Sequence, residues 1–473
     1  MAIPMNFLFY DLETSGLSKS YDQIFQFAAI RCDKNLNQLG VPTNLFCKPR
    51  NDVFPSPEAI LANQLDIKKC NREGLDELKF ALAVQSVLES PTTYITGYNS
   101  KRFDDELIRY LFYRNLMDPY RWGWAEGNKR IDVMDHVLLA YAFGRDVGLQ
   151  FPVVDGQASL KLEHIAEENR FEARNHHDAL NDTKNTKSIM EIIRSQRPQL
   201  FDFALGLVEE EVTKNRILDS DLLYHVGTRY GYLNRCVSVQ KFLCFHPRIG
   251  KRLLTWNLTH DPLVIIEKTP QEISQNLYLL KGQKAFEIGF NEIALNKSPI
   301  VLECEMKKTG LPIDLNLISE NLEKLKSVEP ELKNLAHQTY GIQELPTPKD
   351  VDASLYDQYF FADRNKHAQL TDKILQDPPS FSTHEIQNRR YSELLLRLQG
   401  RNFYEQMGEA SREEYNAYRR EKLLCKEDVE WMTHNRFQFK VSEYQRNQKL
   451  SSEQEYLLSN LCKHVESIVQ EIS

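Results

Sequence analysis

No stretch of this 473-residue chain comes near the roughly 18 consecutive apolar residues that a membrane-spanning helix demands, so no membrane span is expected. The eight cysteines (32, 47, 70, 236, 244, 304, 425 and 462) make no Cys-x-x-Cys pair and no zinc-ligand spacing. That excludes a disulfide scaffold and reads as reduced thiols in a cytoplasmic protein. A basic leader is also missing. The short apolar run near the start is interrupted by Asp11 and Glu13, so no signal peptide is expected. Positive charge is not in excess: 59 Lys and Arg stand against 67 Asp and Glu, a net charge of −8. Total charge therefore neither supports nor excludes a polyanionic partner, which would bind a local basic surface. Internal repeats and low-complexity tracts are absent as well. With 41% hydrophobic and 27% charged residues, the chain is globular, and its length calls for two to four cores.

The texture changes twice along the chain. Residues 1–197 read as α/β. Three strand-like runs over 7–12, 24–31 and 43–48 suggest an antiparallel meander, followed by a helix near 74–90, a short strand at 93–98 and further helical patterns. Residues 198–345 carry short β-type runs (224–232, 236–245, 253–258, 263–267, 298–302) separated by Gly, Pro and Asn, which suits a small barrel. Pro346 and Pro348 open a third segment, 346–473, that is charged and helical in period.

The informative feature is Asp11-Leu-Glu13 inside Phe7 to Gly16. On a strand, residues i and i+2 share a face, so both carboxylates project to one side of an otherwise apolar element. Buried acids need a positive partner, and a divalent cation is the natural one. Asp104 follows the 93–98 strand, and Asp182 sits in a helix that starts near His177-Asp178-Ala179. In a continuous helix, His177 and Asp182 would lie about 140° apart. From a loop ahead of the first turn, the imidazole can swing over the same pocket and serve as general base. Hard oxygen donors without clustered Cys or His favour Mg²⁺, with Mn²⁺ as substitute. Two such ions about 4 Å apart suit phosphodiester hydrolysis.

Asp11-x-Glu13-Thr14-x-Gly16, Asp104, His177-x-Ala179 and Asp182 together resemble the DEDDh exonuclease superfamily. The segments 26–31, 97–99, 102–106, 112–115, 118–120, 162–164 and 199–202, with 351–353 and 401–403, are most similar to its bacterial exonuclease I (exodeoxyribonuclease I) branch. The resemblance implies a ribonuclease-H-like exonuclease domain (1–197), an SH3-like barrel domain (198–345) and a helical C-terminal domain (346–473). It implies two Mg²⁺ ions on Asp11, Glu13, Asp182 and Asp104, and His177 as base. It implies processive 3′-to-5′ digestion of single-stranded DNA to 5′-mononucleotides in DNA repair and recombination. A monomer that docks the C-terminal tail of single-stranded-DNA-binding protein is expected. An exoribonuclease of the same superfamily and an inactive strand-binding scaffold are the alternatives.

Between Gly97 and Arg130, aromatic residues interleave with Lys and Arg, the pattern of a single-strand path in which bases stack and cations follow phosphates. Phe103, Phe112 and Tyr113 are expected in the core, because a helix here needs an apolar face. Arg109, Tyr120 and Trp124 are expected to meet the strand, Glu13 the terminal nucleotide, and Lys161 a phosphate. At Lys161 the resembling family has Arg, so charge is kept but bidentate geometry is lost. Arg389, Arg390, Arg397 and Arg401 are read as a solvated helix face that could extend the path.

Overall fold

The computed structural model describes residues 5–144, 147–171, 178–277, 279, 281–307, 310–342, 348, 350–357, 360–447 and 449–473. By contacts, the chain forms two units: residues 1–130, 171–187 and 347–473 make the first, and residues 131–170 with 188–346 make the second.

The first unit holds a mixed sheet of β1 (Asn6–Thr14), β2 (Ile24–Cys32), β3 (Thr43–Phe46), β4 (Thr93–Thr96) and β5 (Lys129–Arg130), in the order β3-β2-β1-β4-β5. β1, β2 and β3 form the expected antiparallel meander, and β4 adds parallel to β1. Alternation along β1 decides what each face does. Leu8, Tyr10 and Leu12 enter a core shared with Phe80, Leu107 and Leu111. Asp11 and Glu13 therefore project from the opposite face. Phe112 and Tyr113 are buried as expected, whereas Phe103 is only half-buried.

The charged C-terminal segment packs into this same unit. Helices His434–Asn447 and Ser452–Ile472 cover a second core, in which Phe437, Leu457 and Leu461 meet Phe25, Phe54 and Ile60. Each large apolar side chain buried there contributes about 1.5–3 kcal/mol. The last helix is started by a capping box: the Gln454 amide N–H donates to Ser451 Oγ at 3.2 Å, and the Ser451 amide N–H to Gln454 Oε1 at 3.0 Å.

A buried ionic cluster fastens this segment to the sheet side. Arg401 reaches Asp52 at 2.7 Å and Asp352 at 2.6 Å. Arg50 grips Asp52 with both fork nitrogens, at 2.8 and 2.9 Å, while Arg397 takes Asp350 in the same way, at 2.8 and 3.0 Å. Lys422 lies 3.6 Å from Asp52, and the Tyr418 hydroxyl donates to it at 3.0 Å. Burial alone would raise the Asp52 carboxyl, but Arg401, Arg50 and Lys422 outweigh it and hold the group well below the usual carboxylate range. The expectation that Arg397 and Arg401 lie on a solvated face is thus corrected. Both are buried and spent on Asp350, Asp352 and Asp52, and Arg390 pairs with Asp357. Of the four, Arg389 is the exposed one.

The second unit contains a five-stranded antiparallel sheet ordered Phe290–Ala294, Arg252–Asn257, Val237–Phe245, Leu223–Val226, Ile300–Glu303. Its core joins Ile217, Leu223, Leu253, Ile293 and Val301. Two sequence expectations differ here. The 263–267 run is a short helix, Leu263–Ile266, turned by Pro262 and by the Asp261 carboxylate, which accepts the Leu263 amide at 2.9 Å. Strand Phe290–Ala294 stands where no strand was read, since its alternation is hidden by Asn291 and Glu292.

Candidate active site

β1 delivers Asp11 and Glu13, and the first turn of helix Ala179–Gln196 delivers Asp182. One carboxylate oxygen from each of the three lies within 4.8 Å of the others. Asp104 arrives by a different route. Beyond β4, Asn99 takes a left-handed turn (φ +58°), a conformation that Asn tolerates better than most residues. A single 3₁₀ turn, Ser100–Arg102, leads into helix Asp104–Arg114, with Asp104 as its first residue. Because β4 runs parallel to β1, this helix starts beside the acidic strand.

The loop after Glu13 is tightly held. Asp22 accepts the Ser15 hydroxyl at 2.8 Å and the Ser18 amide at 2.7 Å. A Cβ at Gly16 would stand 2.5 Å from an Asp22 carboxylate oxygen, which explains the glycine of the motif. Asn63 donates to the Thr14 carbonyl at 3.3 Å and ties the loop to helix Pro57–Ala62.

A fifth acid was not singled out from sequence. Asp178 precedes the helix, accepts the Asn181 amide at 3.2 Å and receives the Gln26 side-chain N–H at 3.3 Å. Gln26 is the β2 partner of Glu13, so Asp178 anchors the Asp182 helix to the acidic strand. Its signal in the sequence was its place just ahead of the helix, where a carboxylate satisfies free amides.

Burial raises the Asp11 carboxyl well above its ordinary range, and Asp104, Asp182, Glu13 and Asp178 push it further. Glu13 is raised in the same way, by burial first and then by Asp182, Asp104 and Asp178. Repulsion among buried acids favours either protons or a cation. In the cation-free protein, the folded form holds protons that the unfolded chain has released, so stability falls as pH rises from the ordinary carboxylate range through the raised native values. A divalent cation would take the place of those protons. The rise in melting temperature on adding a divalent cation is expected to grow with pH, and a rise that shrinks with pH would contradict this account.

Beside Glu13 opens a cleft of about 510 Å³. Leu17, Phe103, Ala59 and Ala62 give it apolar walls, and Trp431 and Arg436 of the C-terminal segment line another side. Trp431 is held by its indole N–H, which donates to the Lys422 carbonyl at 2.9 Å, and by the Tyr21 ring at 5.0 Å. Lys440 is paired with Glu58 at the same cleft.

The other residues singled out from sequence do not all converge. Arg109 donates to Glu106 at 2.7 Å and to the Tyr356 hydroxyl at 3.3 Å, and its guanidinium lies 5.4 Å from the Tyr120 ring centre. Trp124 is 63% exposed. Arg114, part of the basic-aromatic stretch, is instead buried against Glu77 at 2.9 Å. Lys161 belongs to the second unit, where it is 3.8 Å from Glu163. His177 lies outside the described residues.

Comparison with known proteins matches three segments of the chain. Residues 8–190 match the family model "Exonuclease", 210–342 "Exonuclease I SH3-like domain" and 349–468 "Exonuclease I C-terminal domain". The mixed sheet with its helices is thus the ribonuclease-H-like exonuclease fold, and the antiparallel sheet of the second unit is SH3-like. Exodeoxyribonuclease I of Haemophilus influenzae is 31% identical over 443 residues, covering 89% of this chain and 92% of that protein. The structure of E. coli exonuclease I in complex with a dA16 oligonucleotide superposes with a TM-score of 0.88 at 27% identity, covering 98% of this chain and all of that one. An ExoI/SSB-Ct complex superposes with a TM-score of 0.86 at 26% identity, again over 98% and 100%. No helix among the described residues is long and apolar enough to cross a membrane, and all eight cysteines are free thiols. With three segments matched in order between residues 8 and 468, this chain belongs to the exonuclease I family.

Proposed function

We propose that the protein is a divalent-cation-dependent 3′-to-5′ exodeoxyribonuclease that digests single-stranded DNA processively to 5′-mononucleotides, in DNA repair and recombination. The observation that carries this reading is the convergence of Asp11, Glu13 and Asp182 on one point in a chain of this family. The donor set is all oxygen and mutually repelling, with Glu13 buried and Asp11 and Asp182 half-buried, which fits Mg²⁺ better than a soft-ligand metal. Asp11, Glu13, Asp182 and Asp104 would hold two Mg²⁺ ions, for which Mn²⁺ substitutes; when bound, these activate the attacking water and neutralise charge on the scissile phosphate.

The chain's own residues supply position. Leu17, Phe103 and Ala62 offer apolar walls to the terminal base, and Glu13, in the same lining, meets the terminal nucleotide. His177, one residue ahead of Asp178, would accept the proton of the attacking water. Upstream nucleotides stack on Trp124, whose ring is exposed, and meet Arg109 and Tyr120, which lie against each other, while Lys161 takes a phosphate. Stacking tolerates any base, as an enzyme that consumes every nucleotide requires. We place the domains at 1–197, 198–345 and 346–473. The protein acts in the cytoplasm as a monomer and docks the C-terminal tail of single-stranded-DNA-binding protein, in line with the ExoI/SSB-Ct complex.

A time course on single- and double-stranded DNA labelled at either end, with Mg²⁺ and with EDTA, tests the reading. A 3′ label should leave at once as mononucleotide, a 5′ label should leave last, and EDTA should stop both. Early release of the 5′ label, full activity in EDTA, or faster digestion of RNA of the same sequence would overturn it.

A further inference from the structure

On the reverse side of β1 from the acids, one buried carboxylate binds three elements together. Tyr10 points away from Asp11 and Glu13 because neighbouring strand residues alternate. Its hydroxyl donates to Asp105 Oδ1 at 2.5 Å. Arg130, the last residue of β5, donates through Nε to Asp105 Oδ2 at 3.0 Å and through Nη2 to Oδ1, a bidentate fork. The Arg130 guanidinium lies 4.7 Å from the Trp122 ring centre and 5.4 Å from that of Tyr10, which fixes its plane. Asp105 is 2% exposed and Tyr10 1%.

Each member adjoins an acid of the site or its supporting strand. Tyr10 precedes Asp11, and Asp105 follows Asp104. Helix Asp104–Arg114 has no side-chain cap at its start, and three acids crowd its first turn. Successive helical residues are turned by 100°, so a carboxylate locked at 105 dictates where the one at 104 points. The charge of Asp105 is consumed by Arg130, so the second acid of the Asp104-Asp105 pair braces the helix without joining the acidic group in front.

We propose that Tyr10, Asp105 and Arg130 are positioning residues: a clamp behind β1 that sets the spacing between Asp11 and Asp104 and, through it, the cation affinity of the site. The inference rests on the metal-site reading of the preceding section. It is tested on the full chain with Tyr10→Phe, Asp105→Asn and Arg130→Met, using Mn²⁺ binding to the resting protein by electron paramagnetic resonance, kcat and KM on single-stranded DNA, and thermal melting. Tyr10→Phe keeps the ring beneath Arg130 and removes only the hydroxyl, so it remains informative if Asp105→Asn fails to fold. Folded variants should bind Mn²⁺ at least about tenfold more weakly, as loss of supporting contacts around a metal site does, and lose kcat with KM for DNA unchanged. Wild-type Mn²⁺ affinity in folded Tyr10→Phe and Asp105→Asn, or lost kcat at unchanged affinity, overturns the clamp. Asp11→Ala separates the two readings. If it binds Mn²⁺ as the wild type does, the metal site itself is misassigned; if it loses Mn²⁺ while the clamp variants keep it, the clamp alone is wrong.

Discussion

Replacing Asp11 by alanine is expected to cut hydrolysis of single-stranded DNA by about 10³–10⁵-fold while leaving strand binding in place, since polarisation of a phosphoryl group by a held cation supplies several kcal/mol of the barrier. Asp11 is one of the three carboxylates whose oxygens share one point, so its removal takes a donor from the centre of the group. The walls of the cleft do not depend on it: Leu17, Phe103, Ala59 and Ala62 remain, and so does the Asp22-braced loop. The same substitution relieves repulsion, so Asp11→Ala in EDTA should melt no lower than the wild type at neutral pH and above. Single-turnover hydrolysis, filter binding and melting curves on one preparation separate these effects. Turnover that survives the substitution refutes the site.

The second large effect is on stability and lies away from the acids. Arg401→Ala should cost about 3–5 kcal/mol, because it removes from the buried cluster the cation that Asp52 and Asp352 share and leaves their oxygens short of partners. Arg389→Ala, twelve residues earlier on the same helix, removes an exposed partner of Glu393 and should leave the unfolding midpoint where it is. Denaturant titrations of the two variants make the comparison within one helix. If they unfold alike, the buried cluster is not what holds the helical segment to the sheet.

The contrast between those arginines marks what could be read from sequence. The acidic strand was legible because its grammar is local: period-two alternation, two carboxylates on one face and a glycine two residues on from Thr14. Asp104 and Asp182 were legible from their places after a strand and at a helix start. Arg397 and Arg401 were not, because their partners Asp52, Asp350 and Asp352 are assembled by tertiary packing, and a helix with period 3.6 looks equally solvated until its neighbour is known. Leu263–Ile266 was misread because four apolar residues fit either a strand or a helix turn, and a capping Asp261 with Pro262 decided between them. Tyr10 and Asp105 passed as ordinary members of an apolar strand and an acidic helix start. Only the fold brings them to one another across 95 positions.

The far separation of Asp52 from Arg401 has a consequence in time. The two are 349 positions apart, and at about 5–20 residues per second a ribosome needs roughly 20–70 s to travel from one to the other. Through that interval Phe25 and Phe54 wait without Phe437, Leu457 and Leu461, and Asp52 has its neighbour Arg50 but not Arg401. The acidic strand is therefore made early and finished late. A nascent chain that stops short of the helical segment carries Asp11 and Glu13 on the sheet and Asp104 and Asp182 on its helices, but lacks the helices that cover Phe25 and Phe54, and such a product should be a substrate for chaperones and proteases long before it is a nuclease.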